Sequence, residues 1–221
     1  AGDDVGNYSI TDQGTTTANI TAKTLTATAS ANNKVYDGTT TATVTLTFTG
    51  LVGAETLGQS VGATFADKDV ANGKTVTVNS ITLSDDGDSG GLASNYSIST
   101  GQTTTANITP KALTIGGITA SNKTYNGNTT ATIDVSAATF TGLVDGDAVT
   151  VSATGTFDNE NVGVGKTVTL VETNAGDDVG NYSITDQGTT TANITAKTLT
   201  ATASANNKVY DGTTTATVTL T

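Results

Sequence analysis

The sequence predicts an all-β chain of tandem small β-domains, β-sandwich or β-grasp-like in topology, arranged as an elongated rod. Three observations predict it: alternation of apolar residues with Thr, an internal repeat, and junctions that lack the composition of flexible linkers. The alternation is clearest over residues 41–49, where Ala42, Val44, Leu46 and Phe48 are separated by single Thr residues. Because successive side chains of a strand point to opposite faces, this pattern puts the apolar side chains in a core and Thr in water. Similar alternation elsewhere predicts six or seven strands per domain.

The repeat sets the domain organisation. Residues 1–47 return letter for letter as residues 175–221, so the period is 174 residues. The period contains two related halves, since segments such as Asn-Tyr-Ser-Ile and Thr-Thr-Thr-Ala-Asn-Ile-Thr occur in both. Units of about 90 residues are small domains rather than the short coils of a solenoid. The predicted units are the C-terminal part of a second-type repeat (1–24), a complete first-type repeat (25–112), a complete second-type repeat (113–198) and the N-terminal part of a first-type repeat (199–221). We expect the array to continue in both directions.

The junctions between these units are strand-like. Residues 20–25, 107–115 and 194–199 contain no Gly/Ser tract, and the second of them holds Pro110, the only proline. Flexible linkers have a different composition, and proline fixes its own φ. The sequence therefore predicts nearly continuous extended chain from one domain to the next.

Composition excludes several classes of function. The chain has no Cys, His, Met or Trp, and its 9 basic residues face 20 acidic ones, for a net charge of -11. This charge argues against nucleic acid or an anionic membrane as partner, and we find no apolar run long enough for membrane insertion. Without His or Cys, and without a positioned pair of carboxylates, we expect no enzyme activity.

A turn motif recurs three times along the chain. Its Gly accepts positive φ, its second residue is suited to cap its own turn, and its Tyr is expected to pack across the domain surface or edge. We interpret the motif as structural rather than catalytic. The residues are Tyr36, Asp37 and Gly38, then Tyr125, Asn126 and Gly127, then Tyr210, Asp211 and Gly212.

One acidic loop offers candidate metal ligands. Asp85, Asp86 and Asp88 lie within residues 84–91 and carry carboxylate oxygens of the kind that calcium prefers. The loop lacks the twelve-residue pattern of an EF-hand, so we expect a solvated acidic turn and no cofactor, with calcium as the minor alternative.

Two lysines and two sequons occupy matched positions in the two halves. Lys74 and Lys166 each follow a Gly and are predicted to be exposed turn lysines, with a Lys–Asn isopeptide cross-link as the alternative. Asn107 and Asn193 begin Asn-x-Thr sequons, which we attribute to the Asn- and Thr-rich composition.

The motif Tyr36-Asp37-Gly38, followed by the Asn-Tyr-Ser-Ile and Thr-Ala-Asn-Ile-Thr-Pro-Lys segments, resembles the YDG/MBG-type repeats of large bacterial surface adhesins similar to filamentous haemagglutinin. The resemblance covers essentially the whole chain, and the second unit departs from it because Asn126 replaces the Asp. It implies a secreted, extracellular fibre at the bacterial cell surface that acts in cell adhesion, aggregation or biofilm formation.

Two functions from different classes follow from these patterns. The first is a structural stalk that projects a distal binding region, with extracellular polysaccharide or other cells bound by parts outside this segment. The second is a multivalent binding module whose repeats themselves engage polysaccharide or neighbouring fibres. Lateral self-association through exposed sheet edges is a further expectation. Ice binding by ordered Thr ladders is disfavoured by the length of the units and their varied loops.

Overall fold

The computed structural model describes residues 3–9 and 11–221. About half of the chain lies in strands, and the described residues contain no α-helix, which confirms the all-β prediction. They also contain no helix long and apolar enough to cross a membrane. The chain divides into two compact units, Ala1–Thr109 and Pro110–Thr221. Short 3-10 helices occur at Val5–Asn7, Ala93–Asn95 and Val179–Asn181.

The first unit is built from short edge strands around one long central hairpin. Its strands are β1 (Lys23–Thr24), β2 (Thr26–Ala31), β3 (Lys34–Val35), β4 (Thr41–Ala42), β5 (Val44–Thr49), β6 (Leu57–Phe65), β7 (Ala71–Asp85), β8 (Tyr96–Ser97) and β9 (Thr103–Thr109). Five of them form a mixed sheet in the order β3-β9-β7-β6-β4, in which β3 runs parallel to β9. The others pair as β1 with β8 and β2 with β5. The Leu25 N–H, between β1 and β2, donates to the Ser97 carbonyl at 2.8 Å and extends the first of these pairings.

The second unit repeats this topology. Its strands are β10 (Lys111–Gly116), β11 (Thr119–Ala120), β12 (Lys123–Thr124), β13 (Thr130–Ala131), β14 (Ile133–Asp134), β15 (Thr139–Thr141), β16 (Thr150–Phe157), β17 (Gly163–Ala175), β18 (Tyr182–Thr185) and β19 (Thr189–Thr195). The large sheet has the order β12-β19-β17-β16-β13, and a smaller sheet has the order β15-β10-β18. Strands β11 and β14 form a separate pair.

The core of the second unit lies between its two main sheets. Ile115 on β10 and the nearby Ile118 contribute from one side, and Phe157, Val168 and Ile194 from the large sheet, all at most 2% exposed. Burying each such side chain stabilises the fold by roughly 1.5–3 kcal/mol. Two sheets packed face to face form a sandwich, which is the arrangement that this unit adopts. The first unit buries the matching side chains Phe65, Val76 and Ile108.

The predicted strand over residues 41–49 is divided between two sheets. Ala42 and Leu46 are buried as the alternation predicts, but β4 belongs to the large sheet and β5 pairs with β2. Thr43 separates them and lies in neither strand. The same division occurs between β13 and β14. Because strands break where they change sheets, the described residues hold more strand segments per unit than the six or seven predicted.

The three junctions differ. Between β9 and β10 a single residue, Pro110, lies outside a strand, so this junction is as extended as the sequence predicts. Over residues 20–25 only β1 is strand, and residues 196–202 after β19 lie outside strands. The prediction that all three junctions are strand-like throughout is therefore wrong for the first and third.

The last segment of the chain forms a hairpin of β20 (Ala203–Ala205) and β21 (Val218–Leu220). Residues 199–221, which contain this hairpin, repeat the sequence of residues 25–47. The register of β20 with β21 is also the register of β2 with β5. Ala203 pairs with Leu220, as Ala29 pairs with Leu46 in the first unit. Leu220 is 68% exposed, whereas Leu46 is 3% exposed. The pairing is therefore set by the local sequence, while burial needs the rest of the domain.

Candidate functional site

The Tyr-Asp-Gly turn of the first unit is closed by a lysine. Lys34 on β3 places its Nζ beside the loop, where it donates to Asp37 Oδ1 at 2.7 Å, to the Thr39 carbonyl at 2.7 Å and to the Thr41 carbonyl at 3.2 Å. Asp37 Oδ1 also accepts the N–H and the hydroxyl of Thr39, each at 2.9 Å. The Gly38 φ of 77° makes the turn possible. We name the arrangement of Lys34, Asp37 and Thr39 the lysine clasp.

The clasp directs its charges into its own loop. The Lys34 side chain is 18% exposed and the Asp37 side chain 52% exposed. Burial tends to raise the pKa of Asp37, but hydrogen bonds from Lys34 and Thr39 outweigh it and hold that pKa below its ordinary value. The Lys34 Nζ also lies 5.7 Å from the centroid of the buried Phe65 ring. This geometry joins the two sides of the loop and suits a structural role.

The second unit keeps the clasp with a different acceptor. Lys123 donates to the Asn128 carbonyl at 2.6 Å, to Asn128 Oδ1 at 2.9 Å and to the Thr130 carbonyl at 3.1 Å. Asn126 stands where Asp37 stands in the first unit, and its Oδ1 accepts the Asn128 N–H at 3.4 Å. In the first unit Lys34 donates to the side chains of both Asp37 and Thr39, whereas Lys123 uses only the side chain at the position of Thr39, which is Asn128.

The third copy of the motif forms the clasp outside a complete domain. Lys208 donates to Asp211 Oδ1 and to Thr213 Oγ1, both at 2.8 Å. The Thr213 N–H donates to Asp211 Oδ1 at 3.0 Å, and the Gly212 φ is 76°. The clasp therefore depends on local sequence more than on the core beneath it.

The three motif tyrosines differ in burial. Tyr36 is 1% exposed, Tyr125 39% and Tyr210 92%, so the predicted surface position is wrong for Tyr36, which lies in the core. Lys68 donates to the Tyr36 hydroxyl at 2.9 Å, and its Nζ lies 5.3 Å from the ring centroid. Counted from the matched Phe65 and Phe157, Lys68 corresponds to Glu160. An acid thus stands at the position of the cation that covers the ring in the first unit, and Tyr125 is the more exposed of the two tyrosines.

A second tyrosine in each unit anchors a loop, and sequence analysis did not identify this role. The Tyr96 hydroxyl accepts the Val52 N–H at 3.0 Å and donates to the Glu55 carboxylate, whose hydrogen bond raises the pKa of Tyr96. Tyr182 accepts the Val144 N–H at 3.0 Å and donates to Asp147. Both tyrosines are 7% exposed. The available signal was the matched Asn-Tyr-Ser-Ile and Phe-Thr-Gly-Leu-Val segments, which these bonds join.

The matched lysines are not the exposed turn residues that we predicted. The side chain of Lys74 is 8% exposed and that of Lys166 9%. Lys74 pairs with Asp67, and Lys166 donates to Asp158 Oδ1 at 2.8 Å and to Asn159 Oδ1 at 2.7 Å. Hydrogen bonds from these lysines lower the pKa values of Asp67 and Asp158. Each lysine is thus a nearly buried cation that closes the loop of its long hairpin.

The sequon asparagines hold a bulge in the central strand. Pairing of β7 with β9 shifts between Ala71 and Lys74, and the Gly73 N–H donates to Asn107 Oδ1 at 2.7 Å. The Gly165 N–H donates in the same way to Asn193 Oδ1 at 2.7 Å. The predicted turn at Gly73 is therefore a β-bulge inside β7. The recurrence of these asparagines has a structural cause that composition did not reveal.

The acidic loop uses its carboxylates to order itself. Asp85 Oδ1 accepts the Ala93 N–H at 2.7 Å, and Asp86 Oδ1 accepts the Asp88 N–H at 3.1 Å. Asp86 also accepts the Thr56 hydroxyl, which lowers the pKa of Asp86. Over residues 3–9 and 11–221, no three His, Cys, Asp or Glu side chains are grouped so that they could hold a metal ion. Calcium binding by Asp85, Asp86 and Asp88 stays the untested minor alternative to the solvated turn that we expect.

An open groove of about 250 Å³ lies beside the smaller sheet of the second unit. It is bordered by apolar side chains and by the polar Ser136 and Thr150. The apolar lining residues are Val135, Ala138, Phe140, Val149 and Val151.

Comparison with known proteins identifies the family. No curated protein and no solved structure matches the chain. The YDG domain matches it twice, over residues 21–106 and 109–192, which together span well over half of the sequence. The first match contains Tyr36-Asp37-Gly38 with its lysine clasp, and the second contains Tyr125-Asn126-Gly127. The chain therefore belongs to the YDG domain family and carries two tandem copies of the domain.

Proposed function

We propose that this chain is part of the structural stalk of a secreted bacterial surface fibre of the adhesin class. In this proposal the YDG domains catalyse no reaction and stand outside the cell. They project a distal region that binds polysaccharide or other cells in adhesion, aggregation or biofilm formation. The tandem arrangement of two YDG domains supports the proposal, since repeated domains commonly supply length and copy number.

One observation carries the proposal: only Pro110 separates β9 of the first unit from β10 of the second. A proline has a fixed φ and restricts the residue before it to extended conformations. The connection can therefore adopt far fewer backbone conformations than a Gly/Ser linker of ordinary length. A stalk needs such connections, because flexible ones would let its distal end fold back.

Small-angle X-ray scattering of the full chain tests this function. A compact chain of this length has a radius of gyration of about 17 Å, so a semi-rigid stalk is expected to give a clearly larger value and a defined maximum dimension. The matched variant inserts a Gly/Ser linker after Pro110 and is expected to broaden the distance distribution. A compact particle, or identical curves for the two chains, would reject the stalk.

A specific observation also favours the binding module. Paired Thr residues form a row across four strands of the large sheet in each unit. In the first unit the row is Thr41, Thr64, Thr77 and Thr103. In the second it is Thr130, Thr156, Thr169 and Thr189. Neighbouring strands lie about 4.8 Å apart, so each row is a regular line of hydroxyl groups suited to hydrogen bonds with polysaccharide.

Retention on immobilised polysaccharides tests the second function. If the rows bind, a Thr77→Val, Thr169→Val double variant is expected to lose retention, while a Thr47→Val variant outside the rows keeps it. Equal retention of all three proteins would assign binding to another surface. No retention of the wild-type chain would leave the stalk as the proposed function.

A further inference from the structure

The chain contains two exposed Asn-Gly pairs, and the structure treats the glycine N–H groups of the two pairs differently. They are Asn72-Gly73 and Asn126-Gly127. In such a pair the main-chain nitrogen of Gly can attack the side-chain amide carbon of Asn, because Gly has no Cβ to hinder the approach. Attack requires that this nitrogen be free of other hydrogen bonds and that the peptide can rotate. Asparagine is among the thermolabile residues for such reasons.

The first pair is protected. The Gly73 N–H donates to Asn107 Oδ1 at 2.7 Å, and Gly73 lies in the bulge of β7, where β9 pairs with Ala71 on one side of it and with Lys74 on the other. The nitrogen that would attack Asn72 is therefore already engaged, and the pairing of β7 with β9 holds the peptide in place.

The second pair is open. Asn126 and Gly127 are exposed and lie in the irregular loop between β12 and β13. Within the described part of the chain, the Gly127 N–H takes part in no hydrogen bond. The Asn126 side chain is held by the 3.4 Å bond from the Asn128 N–H, which is at the weak end of the range. A Cβ built on either Gly73 or Gly127 would meet no heavy atom within 4 Å, so the two pairs differ in the hydrogen bonding of the glycine nitrogen and not in the space around it.

We propose that Asn126 is a site of spontaneous deamidation, which converts Tyr125-Asn126-Gly127 into Tyr-Asp-Gly. The Gly127 nitrogen bonds to Cγ of Asn126, the C–N bond of the side-chain amide breaks, and ammonia leaves to give a five-membered succinimide. Solvent water then opens the ring at either carbonyl and yields aspartate or isoaspartate. The balance is one asparagine and one water consumed, with one acidic residue and one ammonia formed.

The aspartate product would recreate the first-type clasp. Asp37 shows where a carboxylate at this position goes, because its Oδ1 accepts Lys34 at 2.7 Å. Lys123 occupies the place of Lys34 and already reaches Asn128 Oδ1 at 2.9 Å. Each second-type unit would then gain one negative charge after synthesis. Repeats that begin as distinct types would become more alike with age, whatever task the array performs.

Peptide mapping of the full chain by mass spectrometry tests the proposal. Samples are aged at mildly alkaline pH and body temperature, and the fragment holding residue 126 is expected to exchange NH for O while the fragment holding residue 72 stays unchanged. An isoaspartate-specific methyltransferase is expected to label the same fragment. Asn126→Gln is expected to abolish the change, and the matched Asn72→Gln is expected to leave it intact.

Two further samples test whether the fold, and not the local sequence, protects Asn72 from deamidation. Short peptides spanning each pair are expected to deamidate at similar rates, since both contain Asn-Gly. Asn107→Ala removes the acceptor of the Gly73 N–H and is expected to expose residue 72 to the reaction. Equal conversion of residues 72 and 126 in the folded wild-type chain would overturn the proposal. So would an unchanged residue 126 over a period in which the short peptides convert.

Discussion

Lys34 and Lys123 perform the same task with different side-chain acceptors. Both ammonium groups donate to main-chain carbonyls of their own loop. Lys34 also donates to the side-chain carboxylate of Asp37, and Lys123 donates to the side-chain amide oxygen of Asn128. Because the Asp37 carboxylate is half exposed, its Coulomb attraction to Lys34 is strongly screened. The contribution common to both clasps is the satisfaction of loop carbonyls by a lysine whose stem is mostly buried.

Replacing the clasp lysine is expected to destabilise the first unit. Lys34→Met keeps the apolar stem but removes the hydrogen bonds to the Thr39 and Thr41 carbonyls, which water replaces in part because both residues are exposed, at a cost of about 0.5–1.5 kcal/mol. Urea unfolding followed by circular dichroism measures the change. Lys208→Met removes the same residue from an identical local sequence whose side chains are exposed, and it should change stability by less than about 0.5 kcal/mol. Equal losses in the two variants would contradict a role that depends on the packed domain.

The turn chemistry of Asp37 and Gly38 could be predicted from sequence because it is local. The partner of Asp37 could not be predicted with the same means, since Lys34 precedes the motif and nothing in the tripeptide specifies it. The burial of Tyr36 was missed for a different reason. Tyr36, Tyr125 and Tyr210 occupy one motif position, yet their exposure depends on what other strands place over them. The position of a residue in the motif therefore predicts its backbone conformation more reliably than it predicts its burial.

The tyrosine anchors act between elements. Tyr96 begins β8 and reaches the loop after β5, and Tyr182 begins β18 and reaches the loop after β15. Each hydroxyl accepts a loop N–H and donates to a carboxylate one turn further on. The smaller sheet of each unit is thereby fixed to the loop that leads into its central hairpin.

Removing a single hydroxyl should weaken this attachment. Tyr96→Phe and Tyr182→Phe retain the buried ring but lose both of the hydrogen bonds that the hydroxyl makes to the loop, at a net cost of about 1 kcal/mol per variant. For domains of this size, thermal denaturation should shift by roughly 4–8 °C. Tyr8→Phe is the matched control, because Tyr8 has the same neighbours in sequence as Tyr182 but is 74% exposed, and its melt should not change. Unshifted melts for Tyr96→Phe and Tyr182→Phe would show that the anchors carry no net stability.

Alternation of side chains predicted strands well and sheets poorly. Over residues 41–49 the apolar positions are those that the structure buries or half-buries, yet the chain passes from one sheet to the other at Thr43. Both sheets face the same core, so the inward-facing positions keep their period across the change. The hydrophobic pattern therefore predicts which side of a strand faces the core, but it does not predict which strand pairs with it.

At the scale of the whole molecule, two electrostatic effects oppose each other. The net charge at neutral pH is -11, and repulsion among the excess carboxylates disfavours the compact state. Lysine pairing acts in the other direction, because it lowers the pKa values of Asp37, Asp67 and Asp158 in the folded chain. The side chains of these aspartates are 46–57% exposed, so each pair contributes modestly.

Stability should therefore pass through a maximum as the pH falls. From neutral pH toward the isoelectric point near 4.1, carboxylates without partners take up protons, repulsion declines, and the melting temperature should rise by a few degrees. A group whose folded pKa is lowered stabilises the fold above its unfolded pKa, about 4 for Asp, and that stability is lost as the pH falls through the folded value. Below about pH 4 the melting temperature should consequently drop. Thermal melts at low and high salt test whether repulsion limits stability at neutral pH and loss of ion pairing limits it in acid. Added salt should raise the melting temperature at neutral pH and should fail to restore it in acid. A steady decline in stability from neutral pH downward would show that ion pairing outweighs repulsion throughout.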